Sequence, residues 1–204
     1  MSTGPDKLIS ALVALGEQLD YAGVPRTELV VCGGTALNVL GLVNRVTSDV
    51  DVIALAQTDE VGCVRLLPTT DLPAEVVRAA GTVARDLGLR DDWLNAVAAR
   101  AGQSLPERWA DRLHTVRYGD RLVVHFVGKF DQICLKLHAV VDRSAESVHL
   151  ADLKALRPSS REMVAAARWC VSQDAGPGFR AFLKSCLERI GYPDAARSLE
   201  NRLP

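Results

Sequence analysis

The chain has 204 residues, 48% of them hydrophobic and 24% charged, with a formal net charge of −1. That composition supports a buried core and excludes a disordered chain, and a charge so near zero argues against a generic nucleic-acid coat. No run is long enough to span a bilayer and no basic-then-apolar leader opens the chain, so the expected setting is the cytoplasm with no membrane partner.

Met1 to Asp6 are expected to be disordered. From Lys7 to Tyr21, Leu8, Ile9, Leu12, Val13, Leu15 and Leu19 recur at near-helical spacing, predicting an amphipathic helix that packs on a sheet. Pro25 closes that region. Leu29 to Cys32 then read as a short apolar strand and Ala36 to Leu42 as a helix, which leaves Gly33-Gly34 at a strand-to-helix turn. Glycine lets a ligand approach the backbone closely, and the first helical N–H groups carry partial positive charge that suits a phosphate. Thr35 can add a hydroxyl.

The second marked stretch is Arg45-Val46-Thr47-Ser48-Asp49-Val50-Asp51-Val52-Ile53. Side chains two apart in a strand share a face, so Asp49 and Asp51 are expected together, followed on that face by Ile53 and Leu55, with Val50, Val52 and Ala54 opposite. Two like charges side by side in a buried strand call for a cation, and rigidly held carboxylate oxygens suit magnesium. A plainer reading, an ordinary βαβ turn with a surface D-x-D, stands beside this one. A P-loop and a dinucleotide fingerprint fit worse, since neither set of glycines and lysine is present.

In Gly33-Gly34-Thr35-Ala36-Leu37 followed by Arg45-x-Thr47-x-Asp49-x-Asp51, the chain resembles the nucleotidyltransferase (DNA polymerase β-like) superfamily, and more closely its AbiEii-type toxin branch. The resemblance implies an α/β (α+β) fold, a nucleotidyltransferase-like mixed sheet flanked by helices with a helical C-terminal part. It also implies that Asp49 and Asp51 hold Mg2+, that Gly33, Gly34 and Thr35 cradle the phosphates of an NTP, and that Arg45 and Thr47 belong to the same site.

After Ala56, Cys63 to Leu67 read as a short strand or an apolar loop, and Ala74 to Leu87 as a helix with Pro73 near its N1 position and Gly88 as its stop. Trp93-Leu94-Asn95 also resembles a recurring triplet of one bacterial branch. Its plainer reading is a Trp packed under a loop with Asn95 capping the backbone. Residues 96–110 are expected to be a helix and then a loop, while Leu113 to Tyr118 and Arg121 to Val127 form a hairpin around Gly119-Asp120. His125, alone in its strand, is expected to be packed or hydrogen-bonded rather than a ligand.

From Lys129 a helix is expected with Phe130, Ile133, Cys134, Leu137 and Val141 on its apolar stripe and Lys129, Gln132, Lys136 and Arg143 opposite, which makes Lys136 solvated. The resemblance instead turns Lys136 of Lys136-Leu137-His138-Ala139 toward the active site, where it neutralises triphosphate charge. His149-Leu150-Ala151-Asp152-Leu153 is similar to the family's K-D-x-x-D-L, but His149 and Val148 replace its first acidic and preceding basic positions. Only Asp152 carries over, as a candidate third carboxylate that bonds Lys136 or assists proton removal, or else as half of a surface His-Asp pair or cap. A capping box at Ser159 and Glu162 opens the next helix, and breaks at Gly176-Pro177-Gly178 and Gly191-Tyr192-Pro193 set off two more.

The five cysteines, Cys32, Cys63, Cys134, Cys170 and Cys186, are widely spaced without a C-x-x-C pair and are expected to be reduced and mostly in the core. Residues 1–128, the expected α/β core, hold 12 Lys+Arg against 16 Asp+Glu, and residues 129–204, the expected helical part packed on it in a single structural unit, hold 12 against 9. The basic excess at that end hints at a polyanionic partner, although scattered surface charges explain it as well. The resemblance implies a metal-dependent nucleotidyltransferase acting on a tRNA or protein hydroxyl, the toxin of a toxin–antitoxin or phage-defence pair with a cognate antitoxin. The alternative is a non-catalytic nucleotide-binding or antitoxin-like module of the same fold. Neither the base of the NTP nor the acceptor can be read from a phosphate motif.

Overall fold

The computed structural model describes residues 5–67, 69, 71–100, 104–142 and 148–200. It divides into two compact units, one of residues 1–103 and 108–128 and the other of residues 104–107 and 129–204.

In the first unit the order is α1 (Pro5–Ala22), β1 (Thr27–Cys32), α2 (Gly33–Val39), β2 (Val50–Thr58), β3 (Val64–Leu67), α3 (Ala74–Leu87), β4 (Leu94–Asn95), α4 (Val97–Arg100), a 3-10 turn at Trp109–Arg112, β5 (His114–Tyr118) and β6 (Leu122–Phe126). Helix α1 begins at Pro5, so Pro5 and Asp6 are helical where disorder was expected; proline suits a first turn because that N–H has no helical partner. The rest of that expectation, Met1 to Gly4, lies outside the described residues.

The strands form one mixed sheet in the order β3-β2-β1-β6-β5, with β4 paired to β2 off that path. The acidic strand β2 neighbours β1, antiparallel to it, while β6 runs parallel to β1 on the other side. Leu8, Leu12, Leu15 and Leu19 of α1 and Val76, Ala80 and Val83 of α3 bury one face of this sheet together with Leu29, Val31, Val50, Val52, Val124 and Phe126. Helix α3 ends where Gly88 takes a left-handed φ of 59°, which glycine adopts without a Cβ penalty.

The face assignment along β2 changes partway. Val31 pairs with Val52 but Val30 pairs with Ala54, so Ile53 is an extra residue in a β-bulge. Beyond it the alternation flips, and Leu55 packs on the same cluster as Val50 and Val52 instead of continuing the acidic face.

The other face carries a polar chain across four strands. Thr58 Oγ1 on β2 donates to Glu28 on β1, whose carboxylate lies 3.1 Å from Nε2 of His125 on β6, and His125 Nδ1 is 2.8 Å from Thr115 Oγ1 on β5. Arg26 also pairs with Glu28 at 2.9 Å. His125 is thus hydrogen-bonded, as expected. Burial pushes the Glu28 carboxyl up, but the bonds from Thr58 and His125 and the Arg26 charge more than offset it and hold the group below its ordinary 4.5. A depressed carboxylate stabilises the fold above its unfolded pKa, and that contribution disappears as pH falls through the lower folded value. Glu28→Gln is therefore expected to flatten the loss of stability below about pH 4.5, measured by urea unfolding across the acid range.

The second unit contains α5 (Lys129–Asp142), α6 (Val148–Ala155), α7 (Ser160–Gln173), α8 (Pro177–Arg189) and α9 (Pro193–Ser198). Ser159 and Glu162 form the expected capping box: the Ser159 hydroxyl accepts from Glu162 N and the Glu162 carboxylate accepts from Ser159 N. Helix α5 is not the half-solvated helix its pattern predicts, because Asp131, Gln132, Lys136 and His138 are buried along with Ile133, Cys134 and Leu137. Arg143 lies outside the described residues. All five cysteines are reduced thiols, four of them buried and Cys63 exposed. Among the described residues no helix is long and apolar enough to cross a membrane.

Candidate active site

The strongest local constraint is at the end of β1, where the chain turns directly from Cys32 into α2. Gly33 has a φ of 75°, a conformation that side chains rarely take, and a Cβ placed on it would lie 2.3 Å from Asp51 Oδ2. A Cβ on Gly34 would lie 2.7 Å from Thr47 Oγ1 and 2.8 Å from Arg45 Nη2. The two glycines therefore exist in contact with both halves of the second motif.

Asp51 reaches this turn because it pairs with Cys32 across the antiparallel ladder, which places both on one face of the sheet. Asp49 sits one residue before β2 begins, not within the strand as expected. It is held to the cluster by Thr35, whose hydroxyl donates to the Asp49 carbonyl at 2.6 Å, and by Thr47, whose hydroxyl donates to Asp49 Oδ1 at 3.4 Å. Thr35 and Thr47 are buried, while Arg45, Asp49 and Asp51 are half-buried, so solvent reaches the cluster through its charged members.

Three positioning residues were not legible as such. Asn38 donates to the Arg45 carbonyl at 2.9 Å and accepts from Arg45 N at 3.3 Å, tying the Arg45 backbone to α2. Its signal was a lone polar side chain in an otherwise apolar run. The other two lie in the Trp-Leu-Asn triplet, which forms β4 beside the acidic strand: Val50 N donates to Trp93 O at 2.6 Å, and Asn95 is the register partner of Asp51. Trp93 itself is fully buried with Nε1 donating to Ala80 O at 3.0 Å, so it is a core residue, not one packed under a loop. Asn95 caps the following turn, its Oδ1 accepting from Val97 N at 3.0 Å.

A nucleotidyltransferase family model, described as "Nucleotidyltransferase of unknown function (DUF6036)", matches residues 10–156, well over half of the chain. The chain belongs to this nucleotidyltransferase family. Neither the curated proteins nor the solved structures gave a match.

The matched span of this family member includes the glycine turn, both aspartates, Lys136 and Asp152. Those candidates form two groups, each within one unit. Gly33, Gly34, Thr35, Arg45, Thr47, Asp49 and Asp51 cluster as described. In the helical unit, Lys136 Nζ on α5 lies 2.8 Å from Asp152 Oδ2 on α6, with side chains only 7% and 1% exposed. The solvated reading of Lys136 and the surface-pair reading of Asp152 are both corrected by this burial: neither charge is stable in a protein interior alone, and each compensates the other.

Among the described residues no three His, Cys, Asp or Glu side chains gather into a metal-binding group. Two carboxylates beside a glycine turn nevertheless fit magnesium, which takes one or two carboxylates and fills its remaining positions with phosphate oxygens and water. Gly33→Ala tests the geometry. Its Cβ must displace the Asp51 carboxylate, a flexible group, so the expected result is a loss of magnesium–NTP affinity of about tenfold or more with a stability loss of only about 1–2 kcal/mol from the left-handed backbone. Calorimetry and thermal unfolding separate the two.

Proposed function

We propose that this chain is a magnesium-dependent nucleotidyltransferase that moves a nucleoside monophosphate from an NTP to an RNA, such as a tRNA, or protein hydroxyl. The observation that carries the reading is the contact of Gly33 with Asp51 and of Gly34 with Thr47 and Arg45, which joins a phosphate-type turn to a pair of carboxylates. Asp49 and Asp51 hold the magnesium, Gly33, Gly34 and Thr35 line the phosphates, and Arg45 offsets their charge. In the reaction the acceptor oxygen bonds to the α-phosphorus, the bond to the β-phosphate oxygen breaks, pyrophosphate leaves and the hydroxyl proton passes to a base. Bound magnesium supplies the charge stabilisation of attacking and leaving oxygens. The 2.8 Å pairing of Asp152 with Lys136 supports the first of its two candidate roles, bonding Lys136, over proton removal.

The finer assignment, an AbiEii-type toxin restrained by a cognate antitoxin, rests on the two motifs and on Lys136-Leu137-His138-Ala139. A small DNA-binding reading frame found beside its gene would support that assignment, and its absence would count against it. The direct test is incubation with each α-phosphate-labelled NTP, magnesium and total RNA or lysate protein. Label in RNA or protein that chelation abolishes is the expected result; none with any NTP overturns the reading.

A second reading, a nucleotide-binding module without transfer, is favoured by one observation: the buried acid available as a third carboxylate, Asp152, is already paired. Magnesium–NTP binding by calorimetry with no transfer of label is its signature.

A further inference from the structure

We propose that the helical unit carries a docking surface for a single-stranded nucleic acid at the turn between α6 and α7. A cavity of about 270 Å³ opens there, walled by Leu150, Ile190 and the ring of Tyr192, with Lys154 and Arg157 on its rim. The Tyr192 hydroxyl donates to Pro158 O at 2.8 Å, which fixes the ring as part of the wall. Along the first turns of α7 a second hollow is lined by Ser160, Arg161, Val164, Ala165 and Arg168. Positions 161, 165 and 168 lie on one helical face, so a small alanine separates two arginines and leaves room for a backbone to approach.

All four cations are exposed, and among the described residues no acidic side chain lines either opening. Of the acids near them in sequence, Asp152 is paired with Lys136 at 2.8 Å and Glu162 is engaged by the Ser159 cap at 2.8 Å and by Lys129 at 3.6 Å. Cations spaced along a turn and a helix suit successive phosphates, and a cavity with a tyrosine in its wall suits an unpaired base, which a duplex does not present. An acidic peptide matches the charge but not the flat cavity.

Arg157 supplies an independent observation. It follows the last turn of α6 with a φ of 45°, the left-handed conformation that glycine or asparagine usually fills at a helix end. An arginine held there gives up conformational stability to present a guanidinium, and arginine is the side chain suited to phosphate.

This surface deepens the proposed transfer to RNA and rests on that reading for the choice of RNA over DNA. The test is fluorescence polarisation of the full chain with labelled single-stranded RNA of about ten nucleotides, without NTP or metal. Single-stranded DNA, duplex RNA and polyglutamate are the comparison arms. The expected result is salt-sensitive binding of the single strands that weakens several-fold in Arg157→Gly, while that variant unfolds at the same or a higher temperature because the backbone strain is relieved. Arg161→Ala with Arg168→Ala is expected to lower the slope of log affinity against log salt by about 0.7 for each phosphate no longer neutralised. Tighter binding of RNA than of DNA supports the RNA acceptor; equal binding supports the surface and removes that link. Wild-type affinity in Arg157→Gly, or duplex RNA or polyglutamate binding as tightly as the single strand, overturns the proposal. Retained RNA binding in a chain that transfers no label sinks the catalytic reading alone.

Discussion

Asp49→Ala combined with Asp51→Ala is expected to reduce transfer of label from an α-phosphate-labelled NTP by about a thousandfold or more, to background, while leaving the fold intact. The size follows from the role proposed for the two side chains. Magnesium beside a triphosphate is held by one or two carboxylates, so removing both removes the protein's share of the metal site proposed here. Several kcal/mol of charge stabilisation on the transferring phosphoryl group go with it, and each 1.4 kcal/mol or so is a factor of ten in rate. Stability behaves differently. Both carboxylates are half-buried and like-charged, and Asp51 Oδ2 lies against Gly33, which has no side chain to be left unpacked. Their removal relieves repulsion and leaves the β1–β2 ladder, which is made by backbone groups, in place. Circular dichroism and thermal unfolding of the variant verify that it is folded. Transfer at the wild-type rate in that folded double variant sinks the proposed mechanism. Asp51→Asn refines the result, since it keeps the shape against Gly33 and loses only the charge.

What could be read from the residues and what could not divides along a physical line. The glycine turn and the strand that carries Asp51 were legible because the features involved are local: a strand that ends in glycine, and an apolar β-branched run, although Asp49 falls one residue before that strand. The capping box at Ser159 and the stop at Gly88 followed from the same short-range rules. The bulge at Ile53 was not legible, because a single extra residue in an apolar run leaves the composition of the run unchanged while exchanging its faces from Ala54 onward, so that Ala54 lies opposite Val50 and Val52 and not beside them. Strand β4 was missed because two residues carry no periodicity; only the pairing of Leu94 and Asn95 with Val50 and Asp51 defines it. Helix α5 shows the limit of amphipathic reasoning most clearly. A wheel sorts Gln132 and Lys136 away from the apolar stripe, and a polar residue opposite a stripe is normally solvated. Both are buried here, and for Lys136 the compensating charge comes from α6, sixteen positions on in the chain, where no window on α5 could have found it.

That pair sets the last expectation: Lys136→Ala or Asp152→Ala alone should destabilise the chain by about 3–5 kcal/mol, whereas Lys136→Met with Asp152→Leu should recover most of the loss. A buried ion pair offsets its desolvation only while both partners are present, so deleting one leaves an uncompensated charge where side chains are 7% and 1% exposed. Replacing both with apolar groups of similar volume removes the charge and the penalty together. Urea unfolding of the two single variants and the double variant closes the cycle, with a coupling of the size of the single losses as the expected result. Additive losses show that the pair contributes nothing as a pair. The folded double variant then separates the two roles of Lys136. If the lysine serves only to neutralise Asp152, the stable protein carrying Lys136→Met and Asp152→Leu transfers label at the wild-type rate. If it also offsets triphosphate charge, that protein is stable but slow, with its loss in kcat/KM for the NTP and its affinity for an uncharged nucleoside unchanged.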